Sequence, residues 1–214
     1  MSTAHNSIRI LVLGAALALS AGAAAQQAAP PALPEGVFAA EKDIKLATAG
    51  TYALDAQHTA VIARVSHLGY SYSLFRFDKV DGTLTWDPAN VAPSKLTITV
   101  QVDSVTTPVP GFAAEITGEK MLNAKAFPQA TFVSSAFRQT DAMRGKVDGQ
   151  FTLMGKTKPM TFDVTLVGAG KGFMGMPRLG VQARATINPQ DHGLPPFFVD
   201  PIEIVVDTEF GKTP

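Results

Sequence analysis

Apolar and polar side chains alternate with a period of two along most of the chain after residue 50, and this pattern constrains the fold more than any other feature. A period of two is typical of strands with one buried and one wet face. Strict alternation predicts antiparallel sheets and an all-β fold. The expected strands lie at residues 60–67, 75–77 together with 83–86 as one strand, 96–103, 131–137, 147–153, 160–166, 181–187 and 202–207.

Turn signals separate these strands. Only residues 112–126 have a helical pattern, and the predicted helix ends before Phe127-Pro128. About eight such strands can pack as two sheets or close into a barrel, and a barrel of that size is either filled by side chains or encloses one small ligand. The alternation does not decide between these arrangements. The turn signals are Asp81-Gly82, Asp87-Pro88, Gly155, Lys158-Pro159 and residues 168–175.

The start of the chain predicts export. Arg9 precedes an apolar run at residues 10–19, and the small residues Ala23-Ala24-Ala25 follow it. This order is typical of a cleaved secretory signal peptide, and the run is too short for a stable membrane span. We therefore expect residues 1–25 to be a signal peptide, residues 26–50 a Pro/Ala-rich lead-in, and residues 51–214 one folded domain located in the periplasm.

Charge and cysteine content exclude several classes of function. Lys and Arg together number 18, as do Asp and Glu, so the formal net charge is zero. Nucleic-acid binding and electrostatic docking on anionic lipid both need a basic surplus. The chain has no cysteine, which excludes disulfides, zinc–thiolate sites and thiol nucleophiles.

The polar candidates for chemistry are few. His58 and His67 are nine residues apart, roughly 30 Å along a straight strand, so they cannot share a metal unless the chain bends there. Ser134-Ser135 lacks the flanking glycines of a nucleophile elbow. His192 lies in a Pro-rich stretch, and we interpret it as a surface residue. We predict neither a catalytic nor a metal site.

Several motifs occur together in one order and carry a resemblance to a known family. They are His58-Thr59 followed by His67-Leu68-Gly69, then Lys120-Met121-Leu122-Asn123, Phe127-Pro128, and Val147-Asp148-Gly149 followed by Gly155-Lys156-Thr157-Lys158-Pro159. The chain resembles the YceI-like family of exported, polyisoprenoid-binding proteins over nearly all of residues 51–210.

The resemblance implies an eight-stranded antiparallel lipocalin-like barrel with one short helix, and a long apolar tunnel that holds an isoprenoid or another long-chain amphiphile. Combined with the alternation, it assigns a set of ligand-binding candidates to the tunnel. These are Val61, Val65, His67, Phe75, Ile98, Val100, Met121, Leu122, Phe132, Phe151, Leu153, Phe162, Val164, Phe173, Val181 and Ile204.

The sequence departs from the family pattern at three positions. Phe75 stands where a glycine is usual, Ala63 where a phenylalanine is usual, and Pro189 where an arginine is common. We expect the first two to reshape the tunnel. The loss of the arginine weakens the expectation of an anionic headgroup more than that of a long apolar ligand.

The expected function is that of a periplasmic carrier that encloses a long isoprenoid or acyl-chain lipid without catalysis. No cofactor is expected beyond a bound isoprenoid, quinone or fatty-acid-type lipid. As partners we expect that lipid, and we allow for a homodimer and for transient contact with a membrane that donates the lipid. The alternatives are an exported enzyme using His67 as an acid/base, or a stress-response module with a filled barrel.

Overall fold

The computed structural model describes residues 39–172 and 175–214. The predicted signal peptide, most of the lead-in and Phe173 lie outside the described residues. The strands are β1 Gly50–Leu54, β2 Ala60–His67, β3 Ser71–Phe77, β4 Val80–Trp86, β5 Lys95–Gln101, β6 Val105–Thr106, β7 Gln129–Gln139, β8 Arg144–Leu153, β9 Lys156–Lys171, β10 Pro177–Ile187 and β11 Ile202–Lys212. The helices are α1 Phe112–Thr117 and α2 Pro189–His192, with 3₁₀ turns at Ile44–Leu46, Ala56–His58 and Val102–Ser104.

These eleven segments form an eight-stranded antiparallel barrel, because three of its eight strand positions are each occupied by a bent strand in two pieces. We call the eight strand positions staves. β1 and β2 run end to end beside β11, which closes the ring. The next stave joins β3 to β4, and the third joins β5 to β6. Single strands β7 to β11 complete the meander. The predicted fold class is therefore confirmed, and full closure leaves no free sheet edge in this ring.

Local irregularities bend the first three staves. Between β1 and β2, Asp55 accepts a hydrogen bond from the Gln57 backbone N–H at 3.0 Å and caps the 3₁₀ turn at Ala56–His58. The turn at Val102–Ser104 separates β5 from β6, and Ser104 donates to the Gln101 carbonyl at 2.6 Å. Side chains at these breaks satisfy backbone groups that the ladder leaves free.

Two of the predicted turns are wrong, and a third begins too early. Asp81-Gly82 lies inside β4, where a Cβ on Gly82 would collide with the Ile98 side chain. This glycine permits close packing across the sheet and does not mark a turn. Lys158-Pro159 also lies inside β9. Because β9 continues to Lys171, the connection predicted at residues 168–175 begins only after that residue.

The turn between β8 and β9 is formed by Met154 and Gly155, both at positive φ. A Cβ on Gly155 would lie 2.9 Å from the Phe127 ring, so only a glycine leaves room for this ring. Gly155 begins the motif at residues 155–159, and Phe127 belongs to the Phe127-Pro128 motif. This pair of residues brings two of the family motifs into contact.

The helices also differ from the prediction. α1 ends at Thr117 instead of residue 126, because Gly118 caps it and the chain then turns through Asn123 at φ 46°. α2 was not predicted. Pro189 occupies its first turn, where a proline is tolerated, and Asn188 accepts a hydrogen bond from the Gln190 N–H at 3.2 Å.

The barrel has two distinct ends. At the first, which we call the helical end, lie the β2–β3 turn, residues 107–128 with α1, the β8–β9 turn, and residues 188–201 with α2. The opposite end carries the β4–β5 connection, the β7–β8 turn and the start of β1. Among the helices that the structure describes, none has the length and apolar character needed to cross a membrane.

Candidate functional site

The interior of the barrel contains two apolar cavities. The larger one has a volume of about 190 Å³ and extends to the opposite end, where residues of the β7–β8 turn reach it. The smaller one has a volume of about 110 Å³ and lies at the helical end. Both are far larger than the roughly 10–15 Å³ that one water needs by the same kind of measure. The inward faces of the strands thus do not fill the barrel completely.

The two cavities share five lining residues, which we call the neck. These are Val61, Val100, Ala130, Phe151 and Ile204. They come from five different staves, so the neck encircles the lumen near its middle. A long chain that used both cavities would have to pass these side chains.

The walls offer almost no hydrogen bonding to a ligand. In the described part of the chain every residue that lines the smaller cavity is apolar. Polar residues reach the larger cavity chiefly around the β7–β8 turn, at Asp141 in the turn and at Arg138, Arg144 and Lys146 in the flanking strand ends. Such walls bind by excluding water from methyl and methylene groups.

Aromatic side chains shape the larger cavity. Phe132 and Phe162 pack edge to face with ring centroids 5.0 Å apart. Trp86 packs against Phe137 at 6.5 Å, and its indole N–H donates to the Ala47 carbonyl at 3.1 Å. That hydrogen bond ties the segment before β1 to the cavity wall.

Most of the predicted ligand-binding residues line these cavities. The exceptions are His67, which is exposed at the end of β2, and Phe173, which lies outside the described residues. The lining members are Val61, Val65, Phe75, Ile98, Val100, Met121, Leu122, Phe132, Phe151, Leu153, Phe162, Val164, Val181 and Ile204. Their role in binding stays a prediction.

Sequence reasoning missed other lining residues of two kinds. Leu54, Leu84 and Trp86 lie on β1 and β4, where the same alternation could have assigned them inward. Leu194 and Phe198 lie in the Pro-rich connection before β11, where no periodic pattern marks a buried face.

The predicted surface position of His192 is wrong. His192 is only 2% exposed, and its ring packs edge to face against the Phe151 ring with the ring centroids 5.3 Å apart. Its Nδ1–H donates to the Lys156 carbonyl at 3.3 Å. Burial lowers the pKa of His192 below its usual 6.5, although the hydrogen bond to Lys156 opposes this. A buried neutral imidazole therefore packs against Phe151, one of the neck residues.

The two departures from the family pattern on β2 and β3 are neighbours. Ala63 and Phe75 are directly opposite each other in the ladder, and both line the smaller cavity. The Phe75 ring is buried and lies 5.9 Å from the Phe112 ring of α1. The wall of the smaller cavity thus has an aromatic group on β3 at this height, opposite the small Ala63 on β2.

A polar cluster lies at the junction of β1, β2 and β11. Asp55, His58 and Glu209 have ligand atoms within 4.8 Å of one another, a spacing that could suit a metal ion. Arg178 instead pairs with both carboxylates, at 2.6 Å from Asp55. Burial would raise the pKa of Asp55, but hydrogen bonds from His58 and Arg178 outweigh it and lower the pKa to about 2. We interpret this cluster as an ion-pair clamp across the closing seam of the barrel.

Comparisons with known proteins agree with this architecture. The YceI-like domain family matches residues 52–210. A UPF0312 protein of Pseudomonas putida (strain W619) is 37% identical over 150 residues, which are 69% of this chain and 78% of that protein.

Two solved structures share the fold. BcnA of Burkholderia cenocepacia matches with a TM-score of 0.66 and 23% identity over 73% of this chain and 98% of that chain. A polyisoprenoid binding domain from Saccharophagus degradans matches with a TM-score of 0.52 and 16% identity over 76% of this chain and 98% of that one. With the family match spanning most of its length, this chain belongs to the YceI-like family.

Proposed function

We propose that this protein is a carrier that encloses one long apolar isoprenoid or acyl-chain lipid in the lumen of its barrel. The observation that carries the proposal is the pair of apolar cavities joined at the neck, because their walls suit a chain of methyl and methylene groups and little else. The fold shared with a polyisoprenoid binding domain adds support.

The driving force for such binding is the removal of the ligand from water. Each buried CH₂ contributes about 0.8 kcal/mol, so a chain of about 20 carbons has a large gross gain. The loss of translational and conformational freedom on binding offsets part of it. Selectivity in an apolar lumen therefore follows chain length and shape more than headgroup chemistry.

We further propose that the carrier works in the periplasm and does no chemistry on its ligand. The signal-peptide pattern of residues 1–25 supports the location. The exposed position of His67, outside both cavity linings, disfavours it as an acid/base acting on a ligand inside the barrel. Ser134 is engaged in the fold, since its hydroxyl accepts a hydrogen bond from the Leu96 N–H at 2.7 Å.

The alternative of a filled barrel is disfavoured by the cavities themselves. A module stabilised only by side-chain packing would leave few voids larger than a water molecule. Here the larger cavity alone is about 190 Å³, and empty apolar space of that size lowers stability unless a ligand fills it.

Titration with prenyl alcohols of increasing length tests the proposal. Trp86 is the only tryptophan and lines the larger cavity, so its emission reports occupancy. We expect a change that saturates at one equivalent, with affinity that rises with chain length until both cavities are filled. An unchanged emission together with no ligand retained through gel filtration, for every chain length, contradicts the proposal.

A further inference from the structure

Large apolar side chains are exposed at the helical end of the barrel, at the tips of three separate connections. The β2–β3 turn, the connection before α1 and the connection after α2 each contribute. The side chains, with their exposed fractions, are Leu68 (82%), Tyr70 (88%), Val109 (55%), Phe197 (65%) and Val199 (80%). We call these five residues the apolar tips. Several large exposed apolar side chains at one end of a domain are the kind of surface that marks a contact site.

The backbone is strained at Leu68, one of the apolar tips. Leu68 has φ 54° and Gly69 φ 76°, and the Tyr70 N–H donates to the His67 carbonyl at 3.0 Å. A two-residue turn with positive φ at both central positions favours Asn-Gly, and a leucine there is strained by roughly 1–2 kcal/mol. A leucine at this position therefore lowers stability in two ways, because its backbone is strained and its apolar side chain is exposed to water. This combination points to a functional role for the residue.

One of the apolar tips adjoins the lining of the smaller cavity. Phe197 is exposed, while its neighbour Phe198 lines the cavity, and their ring centroids are 4.6 Å apart. Leu194, on the same connection, also lines the cavity. One loop thus joins the outer apolar surface to the inner one, so a chain leaving the lumen here would pass from one apolar environment to the next.

The charges around the apolar tips are mixed and close to balanced. The exposed charged residues on these connections and at the start of β9 are Lys120, Lys125, Lys156 and Lys158, with Glu115, Glu119, Asp191 and Asp200. The whole chain also has a formal net charge of zero. A balanced rim complements a zwitterionic surface, and it gives no long-range attraction to a strongly acidic or basic macromolecule.

We propose that the helical end docks on a lipid bilayer by inserting the apolar tips among the headgroups, and that the lipid enters the smaller cavity from there. The inference rests on the proposed carrier function, because a nearly insoluble ligand has to come from a membrane. Tyrosine at Tyr70 suits the membrane–water interface, where its ring is apolar and its hydroxyl stays wet. Docking of this kind depends on apolar insertion instead of anionic lipid.

Flotation with vesicles of phosphatidylethanolamine and phosphatidylcholine tests the proposal. The wild-type protein is expected to float, with little effect of salt. Replacing Leu68→Asp and Phe197→Asp together is expected to lower the bound fraction at least about tenfold, since each buried large apolar side chain is worth about that much in partition. The matched control is Val167→Asp, a residue 59% exposed on β9, and it is expected to float like the wild type.

A second variant separates docking from folding. Leu68→Asn relieves the backbone strain, so it is expected to raise the thermal midpoint while it weakens flotation. A purely structural role for Leu68 predicts that both readouts move together or that flotation stays unchanged. That result would overturn the role of this tip.

A parallel uptake assay distinguishes failure of the docking surface from failure of the carrier function. A prenyl alcohol is offered once from vesicles and once by dilution from ethanol, and we expect the double variant to be slow only with vesicles. Wild-type protein that takes up the alcohol from ethanol but never floats contradicts docking. A dimer in light scattering that the same variants dissociate also contradicts it, because a second copy would then cover the apolar tips. Failure of uptake from both sources contradicts the carrier function instead.

Discussion

The buried imidazole of His192 couples the helical end of the barrel to the neck. Its ring touches Phe151, a neck residue, and its helix precedes Leu194 and Phe198, which line the smaller cavity. The charged groups facing it are Asp191 on its own helix and Lys158 on β9, while Lys156 and Leu153 contribute backbone contacts. Protonation would place a charge behind an apolar wall without a buried counterion.

Acidification is therefore expected to destabilise the protein through His192. Its pKa in the folded state is lowered below 6.5, so the unfolded chain binds the proton first as the pH falls. The stabilising contribution is complete above pH 6.5 and is lost as the pH drops toward the folded-state pKa. His192→Phe is expected to flatten the dependence of the urea midpoint on pH between about pH 7.5 and about pH 5. His67→Asn, at an exposed histidine, is the control, and an unchanged slope in His192→Phe would contradict this role.

His192 also shows where reading single residues from sequence fails. Its neighbours Pro189, Pro195 and Pro196 predict a loop, and loops are normally at the surface. The structure instead forms a short helix whose first turn accepts Pro189 and whose buried face carries His192. No periodic pattern exists in four residues, so only the packing against Phe151 reveals the burial.

At the scale of elements, the first and last staves of the barrel meet along a seam that the Arg178 clamp fastens. Arg178 lies on β10 and pairs with Glu209 on β11 and Asp55 beside β1. The buried hydroxyls of Thr59 and Thr208 hydrogen-bond at 2.7 Å on the same seam. Closure thus depends on contacts between residues far apart in sequence, and forming them costs loop-closure entropy.

Removing the clamp is expected to weaken the seam modestly. Arg178→Met should lower the free energy of unfolding at neutral pH by about 1 kcal/mol, because the pair is partly exposed to solvent. It should also let the pKa of Asp55 rise from about 2 toward 3.8. The stability that Asp55 contributes is present above pH 3.8 and lost as the pH falls toward about 2, so the variant should lose less on acidification through that range. Urea titrations at neutral pH and in the range from pH 3.8 down toward about 2 measure the free energy of unfolding of both proteins. Arg144→Met, at the exposed Arg144–Asp141 pair, serves as the control.

Element positions were largely predictable, whereas their breaks were not. The alternation marks β7, β8, β10 and β11 because each strand has one dry face. It passes over the bend between β3 and β4 at residues 78–79, and it misreads Gly82 as a turn. Both errors arise because a bend or a close approach depends on the neighbouring strand, here Ile98 on β5.

At the scale of the whole molecule, the neck divides the lumen and sets what the barrel accepts. Ala130 is the smallest of the five neck residues and is 8% exposed. Ala130→Phe is expected to close the passage, with some cost from overpacking of the core. Affinity for prenyl chains long enough to need both cavities should fall at least about tenfold, while short chains that fit the larger cavity still bind.

The matched control for the neck is Val133→Phe, on the outer face of the same strand, where the side chain is 49% exposed. It adds a ring without reaching the lumen and should bind chains of every length. If Ala130→Phe binds long and short chains as the wild type does, with unchanged stability, the neck is not on the ligand's path. Titration of Trp86 emission with a series of prenyl alcohols measures both variants.

The choice between a barrel and a sandwich could not be made from periodicity, because both bury the same dry faces. The resemblance to the YceI-like family predicted the barrel, whereas the contact between Phe127 and Gly155 is known only from the structure. Cavity volume was beyond reach from sequence, because it is a small difference between large side-chain volumes. The pairing of Ala63 with Phe75 was equally beyond reach, because only the register shows that the two residues face each other.

The central claim is that the lumen holds one long apolar chain, and native mass spectrometry of protein released from cells without detergent tests it most directly. The account predicts a one-to-one adduct with the mass of an isoprenoid, quinone or acyl-chain lipid, which Ala130→Phe loses and Val133→Phe keeps. A bare protein mass under several growth conditions, with no uptake when such lipids are added, would contradict it.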